Sequence, residues 1–167
     1  MDWIDFFEKW IWFGVAAIGF AILFNVPKRT LIPIFIMAAL GGSVKLVLLH
    51  WGDSLVLGTL LGAVLIGFLS IYAAHFKHSP PFVFAIPAVI PMVPGSYAYY
   101  TMKGIIKLAN NSNNTDFVPL LNDTITNGFK TLFILMAIAI GVFAPMLLTR
   151  RDSAKQIKMP LLKQDKK

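Results

Sequence analysis

Two groups of residues in this chain have types and spacing that could do chemistry. The first is Lys45, one charge inside the apolar run IFIMAALGGSVKLVLLHWG (34–52). A charge at membrane depth is costly and marks a functional position by default. Facing inward, Lys45 offers a fixed positive charge to a substrate carboxylate. Facing outward, its stem snorkels to the interface, since it lies about five residues from the end of its run. Both readings stand on position alone, and no acid within an apolar run is an obvious partner.

The second group lies in PPFVFAIPAVIPMVPGSYAYY (80–100), which is apolar enough for a bilayer yet carries five prolines and a glycine. A helix-interior proline removes a backbone donor and clashes with the carbonyl four residues back. In lipid a freed carbonyl needs another partner, so broken backbone persists only where protein or a watery cavity covers it. Pro87, Pro91 and Pro94 are spaced four and three apart, on one helix face, and Gly95 permits an unwound backbone. Discontinuous helices of this kind bind polar or charged substrates near the midplane of transporters. A kinked packing helix without a ligand is the alternative. Of Tyr97, Tyr99 and Tyr100, two read as interfacial anchors. One facing inward beside the break could donate a hydrogen bond to a ligand.

The elements that must position these groups follow from composition. The 167 residues are 57% hydrophobic, above the about 45–50% of soluble domains. The excess lies in long runs that cross a hydrocarbon core of about 20 residues. The fold class is an all-α polytopic membrane protein with about five transmembrane helices, at 10–24, 31–49, 55–76, 82–102 and 129–148, the fourth broken by proline. Residues 1–150 form the membrane module and 151–167 a basic tail. The acidic start MDWIDFFEK does not read as a cleavable signal.

Of the 15 basic residues, ten fall in the 1–2 turn, the 3–4 turn and the tail, and four on the other side. That places the C-terminus in the cytoplasm and the N-terminus outside. The net charge of +7 is concentrated in the tail, where seven basic residues follow the last span. This marks a cytoplasmic end, or an anionic-lipid contact, and not a nucleic-acid partner. Residues 103–128 read as the longest loop. Asp116 could cap a helix leading into span five, with Pro119 in its first turn.

Gly58, Gly62 and Gly67 sit at small-residue spacings in span three and read as a helix-packing face. Asn25, before Pro27 at the end of span one, reads as a turn residue or a ligand-binding one. No catalytic motif is visible, so the chain does not read as an enzyme. No cofactor is implied. With no cysteine, and with His75 and His78 lacking a third ligand, no metal is expected.

Three strings, GFAILFNVPKRTL (19–31), ALGGSVKLVLLHWG (39–52) and VIPMVPGSYAYYTM (89–102), together resemble the threonine/serine exporter family. The chain is most similar to its short form, the small subunit of a two-component exporter of succinate. The resemblance spans roughly 19–150. Its most specific pieces are Pro91, Pro94, Gly95 and Tyr99, then Phe24 to Pro27. Lys45 matches a basic residue that is usually arginine, and Gly42 stands where that small subunit has histidine. Lysine offers a point charge in place of a two-pronged donor.

The resemblance implies a multi-pass protein of the bacterial inner membrane that exports threonine/serine or a dicarboxylate, driven by an ion gradient. It implies a partner, a longer membrane subunit of the same family, although a homo-oligomer would also complete the path. The implied substrate-binding residues are Lys45, Pro91, Pro94, Gly95, Tyr99 and Asn25. The competing function is a non-transporting membrane subunit that stabilises or assembles a partner.

Overall fold

A computed structural model describes residues 3–52, 54–110 and 117–149. The described residues are helical with no strand. The helices are α1 (Trp3–Leu23), α2 (Leu31–His50), α3 (Leu55–Lys77), α4 (Pro81–Val89), α5 (Gly95–Asn110) and α6 (Phe117–Thr149). A 3-10 turn, Lys28–Thr30, leads into α2, and another, Ile90–Met92, extends α4. Four helices, α1, α2, α3 and α6, are long and apolar enough to cross a membrane. The α4–α5 pair makes a fifth span if taken as one, bent by 59°. The basic tail at 151–167 and Asp116 lie outside the described residues.

The chain punctuates itself with local chemistry. Asn25 takes the left-handed conformation at φ 54, which asparagine tolerates better than most residues. There the amide of Val26 reaches back to the carbonyl of Ala21 at 3.0 Å, and Pro27 keeps the helix from resuming. Ser54 caps α3 by accepting the amide of Leu57 at 3.1 Å. His78, at φ 51, ends it. Arg29 donates to the Ser79 hydroxyl at 3.3 Å, so the turns after α1 and after α3 meet at one end of the bundle.

Helix α3 is the centre. It packs against α2 on one side and α6 on the other, while α4 tucks against α1, α2 and α3. Small residues allow the close crossings. A Cβ on Gly62 would stand 2.6 Å from the backbone carbonyl of Gly41 in α2. A Cβ on Gly67 would meet the carbonyl of Gly141 in α6 at 3.0 Å, and one on Gly58 the carbonyl of Lys45 at 3.3 Å. All three glycines are buried.

Two boundaries differ from the sequence expectation. Helix α1 starts at Trp3 instead of 10, with Asp5 in its first turn, where the helix dipole favours an acid. The expected loop at 103–128 is largely helical. Helix α5 runs on to Asn110 and α6 begins at Phe117, with Pro119 in its first turn. These segments look polar because their polar and small residues face each other. Gly104 packs onto Thr124, and Gly128 lies against Thr101, while the apolar Met102, Ile105 and Ile106 face outward.

Candidate functional site

The break between α4 and α5 is built by three prolines of different effect. Pro87 lies buried inside α4, Pro91 sits in the 3-10 turn, and Pro94 follows. The residue that actually unwinds is Val93, at φ −60 and ψ 136, because a residue before proline is pushed out of the helical region. Gly95 does not supply the unwinding. It has no positive φ and opens α5, with open space where a side chain would be.

Unwinding strands the carbonyl of Met92. In a continuous helix it would accept the amide four residues on. Here it accepts from Lys45 Nζ at 3.2 Å. Lys45 therefore faces inward, across from α2 to the break, and is part-buried. The Met92 side chain is fully buried. Its terminal methyl would stand 2.6 Å from a Cβ on Gly62, so Gly62 makes the seat that holds the break against α3.

On the far side of the break, Gly95 donates to the Val93 carbonyl at 2.9 Å, and the first intrahelical bond of α5 runs from Ala98 to Pro94 at 3.1 Å. The amides of Ser96 and Tyr97 thus have no acceptor within the helix, and the N-terminus of α5 carries partial positive charge. The site presents a stranded carbonyl, an ammonium and helix-start amides within a few residues. Such a set can hold a carboxylate and release it.

Two further lysines flank the break. Lys9 of α1 lines a cleft with Trp12, Phe13, Ala16 and Pro91. Lys130 of α6 lies 5.4 Å from the centroid of the Tyr97 ring, a cation–π contact. Tyr97 is the tyrosine that turns toward the core. Tyr99 is 62% exposed and meets Tyr100 edge-on at 5.5 Å. Asn25 is exposed in the α1–α2 turn, at the opposite end of α1 from Lys9. The structure thus brings together Lys45, Pro91, Pro94 and Gly95, and leaves Tyr99 and Asn25 away from them.

Sequence reasoning missed Met92, Gly62 as its seat and the flanking lysines, and left open that Tyr97 is the tyrosine that turns inward. The count of basic residues placed Lys9 and Lys130 on the outer side but gave neither a role. His75 and His78 turn their Nδ1 atoms to the carbonyls of Ile71 and His75, at 2.8 and 3.1 Å, at the other end of the bundle from Lys45.

Residues 9–148 match the family described as "Threonine/Serine exporter, ThrE". The chain belongs to this family. The match takes in the break, Lys45 and every described helix except the first turns of α1 and the last residue of α6. A relative from Haemophilus influenzae, described as "Uncharacterized protein", is 35% identical over 140 residues, covering 83% of this chain and 46% of its own. The chain spans about half the length of that curated relative. No solved structure matches. The family is described as one of exporters, and with its apolar helices the chain is a multi-pass membrane protein.

Proposed function

We propose that this chain is one half of an ion-coupled exporter of small carboxylate-bearing metabolites, threonine/serine or a dicarboxylate such as succinate, in a bacterial inner membrane. The observation that carries the reading is the hydrogen bond from Lys45 to the stranded Met92 carbonyl. It sets a positive charge where the backbone of the fourth span is broken. A substrate carboxylate competes with the carbonyl for that ammonium, and its other oxygen takes the amides that open α5. Moving Lys45 from carbonyl to carboxylate loosens the break, which lets the two half-helices change their angle.

The partner is a longer membrane subunit of the same family. The relative that carries this region within a chain about twice as long supports that reading. So does the distribution of acids. Among the described residues Asp5, Glu8 and Asp123 are the acids, and all are exposed. None stands at the break to carry a coupling proton, so that group belongs to the partner.

The same hydrogen bond favours a second reading. Lys45 can be a staple that satisfies a carbonyl in a non-transporting subunit whose task is to stabilise or assemble its partner. Two variants separate the readings. Lys45→Met should abolish transport at an unchanged level in the membrane. Lys45→Gln keeps a donor for the Met92 carbonyl but loses the charge, and should also be inactive. Normal efflux by Lys45→Gln alongside a defective Lys45→Met would favour the staple, and normal efflux by both would sink the substrate role.

A further inference from the structure

The turns after α1 and after α3 meet at the end of the bundle that the count of basic residues assigns to the cytoplasm. An open cleft of about 470 Å³ lies there, between the start of α4 and the end of α6, beside α3. Apolar side chains form most of its wall, Ile71, Phe82, Phe143, Met146 and Leu147, and His75 joins them. Phe82 rests on Phe143 with 5.7 Å between ring centroids. Past His75, Pro80 and Pro81 the cleft continues into an open mouth that adds His78 and Ser79. Arg29 donates to the Ser79 hydroxyl at 3.3 Å, which holds a guanidinium at that mouth. Phe82 also lines a second apolar cleft of about 380 Å³ on the α1 side, with Val26, Val83 and Ile86.

We propose that the two clefts hold the acyl chains of one anionic phospholipid of the cytoplasmic leaflet, astride Phe82, with its phosphate at the mouth beside Arg29, His75 and His78. Charge at this end is one-sided. Lys28, Arg29 and Lys77 lie in or next to the two turns. Among the described residues the acids Asp5, Glu8 and Asp123 lie toward the starts of α1 and α6, at the opposite end. The two rings suit an anion. His75 Nδ1–H donates to the Ile71 carbonyl at 2.8 Å, and His78 Nδ1–H to the His75 carbonyl at 3.1 Å. A carbonyl only accepts, so each ring keeps a hydrogen on Nδ1 and leaves Nε2 for an outside ligand. In the protonated ring that Nε2 donates to a phosphate oxygen. Helix α4 begins at the same mouth, and the positive end of its dipole favours an anion there. Apolar walls alone would suit any lipid. Their continuity with a cationic mouth selects an anionic one, since basic pockets between membrane helices on the cytoplasmic side take anionic headgroups. A lipid seated this way braces the start of α4 against α6. The site does not involve Lys45 and stands apart from its substrate role.

The test is the melting temperature of the full chain, purified in an uncharged detergent with any partner that accompanies it, as lipid is added. Dioleoyl phosphatidylglycerol should raise it by about 3 °C or more, and dioleoyl phosphatidylcholine, with the same chains and no net charge, by less than about 1 °C. The double variant Arg29→Gln with His75→Gln should lose the phosphatidylglycerol shift. It should melt as the wild type does without lipid, because both side chains are exposed and glutamine keeps a donor for Ser79. Leu147→Trp, at an exposed position of the larger cleft, fills the space for an acyl chain and should lose the shift as well. No shift from phosphatidylglycerol, or equal shifts from the two lipids, overturns the proposal. So does an equal shift from sn-glycerol 3-phosphate, which would make the mouth a site for free phosphate and leave the clefts idle. A phosphatidylglycerol shift that survives in either variant overturns it too.

Discussion

At the scale of single residues, the site depends on where a backbone group loses its partner. Pro94 is the decisive residue. It withholds its own amide and forces Val93 out of the helix, and Val93 is the residue found extended. Replacing it restores a donor and removes the constraint. Pro94→Ala should let α4 run on toward α5, give the Met92 carbonyl a backbone partner and release Lys45. Efflux should fall at least about tenfold while the amount in the membrane holds, since ordinary helical bonding carries no penalty in lipid. Efflux within a factor of about two of wild type would show that the break is not needed. The prolines and Lys45 were legible in the sequence because both violate what an apolar span tolerates. The Lys45–Met92 contact was not, because any backbone carbonyl could have served and side-chain type gives no hint of which one. Tyr97 and Tyr99 show the same limit. Their types are identical, and only the packing of α5 on α6 decides that Tyr97 turns inward.

At the scale of elements, α3 holds the site in place through its glycines. Gly62 meets both the Gly41 carbonyl, which is backbone and cannot yield, and the flexible end of Met92. Gly62→Ala should therefore push α2 and the break away from α3. The expected cost is about 1–3 kcal/mol, typical of overpacking a tight core, read as a lower melting temperature of the purified protein in detergent. Gly19→Ala is the control, since nothing lies within 4 Å of its added Cβ. Alanine there should be neutral or slightly stabilising, by up to about 1 kcal/mol of helix propensity. Equal melting of the two variants would show that the α2–α3 crossing is looser than these contacts require. The long helices were legible from their apolar runs. The full lengths of α5 and α6 were not. Their mutual seam uses Thr101, Gly104, Thr124 and Gly128, and a seam of polar and small residues reads as a loop on hydropathy alone.

At the scale of the whole molecule, the helices α1, α5 and α6 present large apolar side chains outward, among them Trp12, Ile106, Phe129 and Phe133. Lipid covers such faces, and so does a second membrane subunit. The α5–α6 pair extends beyond what one crossing requires, since 33 residues of α6 span about 50 Å against a core of about 30 Å. Within this chain the break packs against α1, α2 and α3. In a half-transporter a second set of helices closes the substrate path and brings the acid that couples transport to a proton or cation. The decisive experiment is purification of the tagged chain from its own host in mild detergent, with identification of what accompanies it. A half-transporter should bring with it a longer membrane protein of the same family in stoichiometric amount. A chain that emerges alone as a defined oligomer would contradict the half-transporter reading.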